Sequence, residues 1–346
     1  MSAWLIAASL AGCRVPEPVP VTDDDDPTTP DTDTSVPTDT PTDTGRGPTD
    51  STTTPTTPTV CEDLPPGPYT FVRSTIVHTE EDFDFDRQGY LLLQSNQDLV
   101  GVLHDGSQQL LATSIGFDVA GIRSLPTDDI VVAQQDTGAL RRVNRTNGNT
   151  VTVLAGLDYP NGIDVDSDGW VYISEYSQNG RVRRVDPYTG EATVILETRY
   201  PNGLALSPDE QTLYVVVSQQ LFAGDGKILA MDRDPTSGEW LPETRVVYHA
   251  DDLLDAITVD VCGNVYAAEY RSGKVVRISM PDETAEIIID LPNSGFEGYC
   301  AARFGAGWGD WSRTTLYVSD RSDLYGIELG VEGRHVLANE STTTSR

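Results

Sequence analysis

Tyr159-Pro160-Asn161-Gly162-Ile163-Asp164-Val165 returns about 41 residues later as Tyr200-Pro201-Asn202-Gly203-Leu204-Ala205-Leu206, and a spacing of that size is the length of one four-stranded propeller blade. Each copy runs into a turn, Asp168-Gly169 or Pro208-Asp209, and then into an apolar strand-like run, Trp170-Val171-Tyr172-Ile173-Ser174 or Leu213-Tyr214-Val215-Val216-Val217.

The period extends both ways. Glu81-Asp82-Phe83-Asp84-Phe85-Asp86 precedes Gly89-Tyr90-Leu91-Leu92-Leu93, and Ala120-Gly121-Ile122 precedes Asp129-Ile130-Val131-Val132. Asp255-Ala256-Ile257-Thr258-Val259-Asp260 precedes Asn264-Val265-Tyr266, and Glu297-Gly298-Tyr299 opens a last copy that reaches Leu316-Tyr317-Val318. About six units of roughly 40 residues result, the fourth longer by about a dozen. Gly, Asp, Asn and Pro separate the short runs, as hairpins require, and no long stretch has a helical apolar period. The pattern predicts an all-β, six-bladed β-propeller of four-stranded antiparallel blades over residues 61–346. An open ring would expose a strand edge. The run Thr70 to Val77, ahead of the first unit, is therefore expected to complete the last blade as its outer strand.

The first 60 residues read differently. Met1 to Gly12 is short and apolar and ends in Leu10-Ala11-Gly12-Cys13, similar to a bacterial lipobox with Cys13 as the acylated residue, although no Lys or Arg precedes the apolar run. Residues 14–60 are Thr, Asp and Pro almost throughout, too poor in apolar side chains to offset chain entropy. The expectation is a lipoprotein-type signal segment over 1–13 and a disordered linker over 14–60. The protein would be exported and held by lipid at the bacterial outer membrane or cell surface.

A net charge of −31, with Lys227 and Lys274 the only lysines, excludes nucleic acid as a partner and disfavours direct contact with anionic membranes. A monomer is expected. Cys61, Cys262 and Cys300 allow one disulfide and one free thiol, with the pairing open. No CxxC, HExxH, GxSxG or phosphate loop occurs.

In a propeller the first strand of each blade lines the channel. Aligning the units puts Glu81, Ala120, Asn161, Asn202, Asp255 and Glu297 near one mouth. Carboxylate and amide oxygens in a ring suit a hard divalent cation, Ca²⁺ before others. Glu81 and Asp255 would balance its charge, and Asn161 and Asn202 would add neutral oxygens. Asn-Gly is also the strongest short hairpin signal, so both copies can be read as plain turns, and Glu81 as a solvated acidic edge. A site is favoured because each unit has its turn later and Pro fixes the chain ahead of each Asn. Tyr172, Tyr214, Tyr266 and Tyr317 read as core between blades, and Tyr176 and Tyr270 as outer or edge positions. Asp166 and Asp260 read as hairpin caps.

Tyr200-Pro201-Asn202-Gly203-Leu204-Ala205-Leu206-Ser207-Pro208-Asp209 resembles the PNGLAxSPD phrase of the SMP-30/gluconolactonase/luciferin-regenerating-enzyme family. Glu81 to Asp86 is similar to that family's first-blade EGPxWD phrase without its Gly and Pro. Asp255 to Asp260 with Gly263-Asn264-Val265-Tyr266 resembles DGxxxDxxGxxY, with Ala256 where Gly is usual. The resemblance implies Glu81, Asn202 and Asp255 as metal ligands, Asn161 as a ligand or substrate contact, and Asp255 also as general base. Tyr159 stands where sugar-lactonase members carry an Arg beside the substrate, which turns the expectation away from sugar-acid lactones. The function expected is divalent-metal-dependent hydrolysis of a lactone or related ester. The alternative is a non-catalytic, surface-displayed propeller that binds a ligand or protein.

Overall fold

The structure is a computed structural model, described here for residues 61, 64–74, 79–219, 224–292 and 298–334. Strand β1 (Val72–Ser74) comes first. Blade one is β2 (Phe83–Phe85), β3 (Leu91–Ser95), β4 (Asp98–Val102) and β5 (Gln108–Ala112); blade two is β6 (Val119–Ser124), β7 (Ile130–Gln134), β8 (Ala139–Val143) and β9 (Thr150–Ala155). Blade three is β10 (Pro160–Val165), β11 (Val171–Glu175), β12 (Gly180–Val185) and β13 (Ala192–Thr198); blade four is β14 (Pro201–Leu206), β15 (Thr212–Val217), β16 (Lys227–Arg233) and β17 (Trp240–His249). Blade five is β18 (Leu254–Val259), β19 (Val265–Glu269), β20 (Lys274–Ser279) and β21 (Thr284–Asp290). Blade six is β22 (Ala301–Phe304), β23 (Thr315–Ser319) and β24 (Leu324–Glu328), completed by β1 on its outer edge.

All pairings are antiparallel, and no α-helix occurs among the described residues. The six-bladed expectation holds, and so does closure by the segment ahead of the first unit: Val72 pairs with Gly326 and Ser74 with Leu324. Cys13 and residues 14–60 lie outside the described residues.

Burial explains the composition of each strand. Second strands such as β7, β11 and β19 are buried throughout, because neighbouring blades cover both faces, and they read as unbroken apolar runs. Fourth strands such as β9 and β13 face solvent, their residues exposed or half-buried apart from Leu196. The core divides into six apolar clusters, each shared by two adjacent blades. Six interfaces for six blades make a complete ring. The seam between blades six and one is aromatic: the Phe85 ring lies 5.2 Å from Trp311 and 5.1 Å from Tyr317.

Tyr172, Tyr214, Tyr266 and Tyr317 are all buried in these interfaces. The Tyr266 and Tyr172 hydroxyls donate to Asp260 Oδ2 at 2.8 Å and Asp166 Oδ2 at 3.1 Å. The same aspartates cap turns. Asp260 Oδ1 accepts from the Cys262 and Asn264 amides, and Asp166 Oδ1 from the Trp170 amide.

Two devices hold the ends of the described propeller. Cys61 and Cys262 form a disulfide with Cα atoms 5.5 Å apart, leaving Cys300 as a buried free thiol. The last described residues lie at the far end of the inner strands. The Arg334 amide donates to the Val259 carbonyl, and its guanidinium reaches Asp164 at 3.1 Å and Glu210 at 3.0 Å.

Candidate functional site

Four inner strands change register at their entry. The pairing jumps between Val119 and Gly121, Pro160 and Ile163, Pro201 and Leu204, and Leu254 and Ile257. Such a bulge re-aims a side chain. It falls on Ala120, Asn161, Asn202 and Asp255, one per blade. Asn161-Gly162 and Asn202-Gly203 are therefore strand residues in a bulge and not hairpin turns.

The residue after each ring position lets the inner strands approach. A β-carbon on Gly121 would stand 2.6 Å from the Asn161 carbonyl oxygen, one on Gly162 2.4 Å from that of Asn202, and one on Gly203 2.3 Å from that of Asp255. Backbone contact is possible there only without side chains. Asn161, Asn202 and Asp255 thus stand side by side on three successive blades. Between blades five and six the spacing admits a β-carbon, that of the buried Ala256.

Glu81 enters from blade one. Its alignment with Asn161 is fixed by a repeated contact. The Ser124 amide donates to Asp84 Oδ2 at 2.7 Å, as the Leu206 amide donates to Asp164 Oδ2 at 2.7 Å. The sixth position is not the one that the sequence pattern suggests. Tyr317 pairs with Arg303 as Tyr266 pairs with Thr258 and Tyr172 with Asp164. The ring residue of blade six is therefore Cys300, and Glu297 lies outside the described residues.

The ring places two carboxylates, two amides and a thiol at one mouth. Burial pushes the Asp255 carboxyl well above the usual carboxylate range, and the charge of Glu81 adds to the rise. Burial also raises Glu81, against the opposing charge of Arg321. Asn202 hydrogen-bonds the Asp255 carboxylate, while its own Oδ1 is buried with no donor. A carbonyl oxygen left bare in a buried site costs roughly 1–3 kcal/mol unless something binds it. Two carboxylates that resist ionisation, next to an unpartnered carbonyl oxygen, are the chemistry of a cation site, and by that test the residues fit a divalent ion. Among the described residues no group of three or more His, Cys, Asp or Glu is arranged to hold one, so amide oxygens would have to complete the ligand set.

Arg321, like Cys300, is not marked by any pattern in the sequence. It lies just beyond β23, and its guanidinium ion-pairs with Glu81 Oε2. Burial works against its charge, and the carboxylate of Glu81 more than offsets that, so the guanidinium stays protonated. Burial raises the Cys300 thiol well above its ordinary value, and Glu81 and Asp255 add to that. Tyr176 and Tyr270 occupy the same place in blades three and five as Arg321 in blade six, each four residues beyond its second-strand Tyr. They are not outer positions. Burial pushes Tyr270 up to about 12, with Asp255 and Glu81 adding to the rise and Arg321 opposing it. Tyr176 is buried, its ring 6.4 Å from Tyr159 and 5.5 Å from Tyr200.

Tyr159 stands at the rim, 45% exposed. Burial raises its hydroxyl, and Asp118 and Glu81 add to the shift. Tyr159 and Tyr200 both adopt left-handed backbone, at φ 58° and 44°, a strained conformation for a bulky residue ahead of proline. It is held by the Tyr176 amide donating to the Tyr159 carbonyl and the Tyr200 amide donating to the Ser177 carbonyl. Below the ring the channel is polar and paired. Buried Asp82 takes Arg123 Nη1 at 2.6 Å and the Ile122 amide at 3.0 Å.

The molecule is a six-bladed propeller with an acidic, oxygen-bearing ring at one mouth. The model of the SMP-30/gluconolactonase/LRE-like region matches residues 170–319, the span that holds Asn202, Asp255, Cys300 and the PNGLA phrase. The resemblance read from those motifs is shown there. A gluconolactonase from Xanthomonas campestris is similar with a TM-score of 0.62 at 20% identity, over 77% of this chain and 96% of that one. A calcium-binding protein, regucalcin, from Agrobacterium tumefaciens gives 0.58 at 17%, over 78% and 97%. Virginiamycin B lyase from Staphylococcus aureus gives 0.51 at 13%, over 75% and 98%. At these identities the likeness is one of fold. No curated protein sequence matches the chain.

Proposed function

We propose that the protein is a divalent-metal-dependent hydrolase of a lactone or related ester, working at the ring mouth. The observation that carries this reading is the meeting of half-buried Glu81 with buried Asp255 and the unpartnered Asn202 Oδ1. The match to the SMP-30/gluconolactonase/LRE-like region supports a lactonase-like hydrolase. Glu81, Asn161, Asn202 and Asp255 would hold the ion, Ca²⁺ by the hardness of its oxygen donors. A cation there would draw electron density from the substrate carbonyl.

Asp255 takes the proton of the water that attacks the carbonyl carbon and returns it to the alkoxide released when the ester bond breaks. A carboxylate whose pKa lies above the ordinary range is the better base near neutrality. Asn161 orients the substrate, with Tyr159 as the wall at the rim. An aromatic wall suits an acyl chain with apolar surface better than a polyhydroxylated sugar acid. Metal analysis of the purified domain, with a panel of lactones differing in ring and chain size, tests the reading. Hydrolysis that disappears on chelation and in Asp255→Asn supports it. A metal-free protein inert on every lactone overturns it.

One observation favours a second reading: Arg321 already neutralises Glu81, which suits a non-catalytic mouth that binds a ligand or protein. The same experiment separates the two.

Export and anchoring through a lipidated Cys13, with residues 14–60 as a tether at the cell surface and residues 61–346 as a monomeric propeller, complete the proposal. One acyl chain binds membranes only marginally, so two or more are expected. Incorporation of a fatty-acid analogue and detergent partitioning, both lost in Cys13→Ser, test it; an unlabelled, soluble wild type would count against it.

A further inference from the structure

We infer that Arg321 is a resident cation of the ring, which shares Glu81 with the divalent ion and thereby sets the metal affinity of the mouth. The inference rests on the metal-site reading above. Its warrant is geometric. The Arg321 guanidinium is ion-paired with Glu81 Oε2, the carboxylate that would otherwise face the ion. Its backbone lies at φ 68°, a left-handed conformation that L-residues rarely adopt. Asp320 holds it there: Oδ1 accepts the Ser322 amide at 3.1 Å and the Asp323 amide at 2.7 Å. The turn thus aims a long cationic side chain back over the mouth. Arg321 Nε is buried without a partner, and among the described residues the guanidinium is ion-paired through Glu81.

Charge counting gives the consequence. Glu81 and Asp255 carry two negative charges when ionised, and Arg321 cancels one. A divalent ion entering beside Arg321 leaves the ring positive, whereas without Arg321 it leaves the ring neutral. Full engagement of Glu81 therefore requires its pair with Arg321 to open, and metal affinity falls by the cost of that opening.

The test is calorimetric titration of Ca²⁺ into the full chain as wild type, Arg321→Met, Arg321→Lys and the double variant Arg321→Met/Glu81→Gln. Arg321→Gln substitutes where Arg321→Met does not fold, with melting in chelator as the check on folding. Arg321→Met is expected to bind Ca²⁺ at least about tenfold more tightly, since a positive charge within a few ångströms of the ion is removed at a partly buried site. Arg321→Lys should stay close to wild type, and Glu81→Gln should abolish the gain. Binding by Arg321→Met alone, with none by wild type, supports the inference in its strongest form. Equal or weaker binding by Arg321→Met than by wild type overturns the inference and leaves the metal site standing. Absence of Ca²⁺ binding in every protein overturns both.

Discussion

Gly162 and Asn202 touch through their backbones across the seam between blades three and four: a β-carbon on Gly162 would stand 2.4 Å from the Asn202 carbonyl oxygen. The obstacle is backbone, so no side chain can turn aside to relieve it. Gly162→Ala is expected to cost about 1–3 kcal/mol, as overpacking does, and to displace Asn202 from the ring. Thermal melting reads the first effect and Ca²⁺ titration the second.

Asp255→Asn keeps the shape of the side chain and removes both a negative ligand and the proposed base. Hydrolysis should fall by about 10²–10⁴-fold, the usual range for a general base, and metal binding should weaken. The charged form of Asp255 is disfavoured by burial, so in chelator the variant should melt no lower than wild type at neutral pH. Asn161→Ala should be milder in activity and binding, because water can stand in for a neutral ligand.

Chelation should lower the melting temperature. A ligand that binds only the folded state stabilises it by about 2.7 kcal/mol at 100 times its dissociation constant. Differential scanning of the protein with Ca²⁺ and with chelator measures the shift, and coincident transitions would remove the metal.

The Cys61–Cys262 disulfide joins residues 201 positions apart. Chain-entropy reasoning assigns a loop of that size about 5 kcal/mol. Cys262→Ser, or reduction of the wild type, should move the guanidinium midpoint down and steepen the slope, because the unfolded chain without the cross-link exposes more surface.

Burial raises the Asp84 carboxyl from 3.8 to about 6, so the folded protein binds this proton more tightly than the unfolded chain does. The contribution is complete below about pH 3.8 and is lost as pH rises through about 6, at most about 3 kcal/mol. Asp84→Asn removes that slope. The stability of wild type minus variant should fall between pH 4 and pH 7 in urea titrations, and a flat difference would contradict the assignment.

The architecture was legible because a repeat carries it. The Tyr-Pro-Asn-Gly phrase marks the entry of two inner strands, and the buried Tyr172, Tyr214, Tyr266 and Tyr317 mark the second strands. Cys300 was hidden by a difference in loop length. Asn161 precedes Tyr172, and Asp255 precedes Tyr266, by the same interval, but the loop from Gly305 to Thr314 lengthens that interval in blade six. Counting forward from an acidic residue therefore stops at Glu297, whereas counting back from Tyr317 through the strand register reaches Cys300. Arg321 and Asp82 were hidden for another reason. Their roles depend on ion pairs with Glu81 and Arg123, 240 and 41 positions away, and no local pattern encodes those.

The seating of β1 on blade six has a consequence for how the chain is made. Arg73 meets its partner Asp323 only after 250 further residues have been added, a delay of roughly 12–50 s at about 5–20 residues per second. Blades one to five can assemble pairwise in the meantime, each on the one before it. The first strand must wait, an unpaired edge open to chaperones, proteases or another nascent chain, until the final blade emerges to receive it.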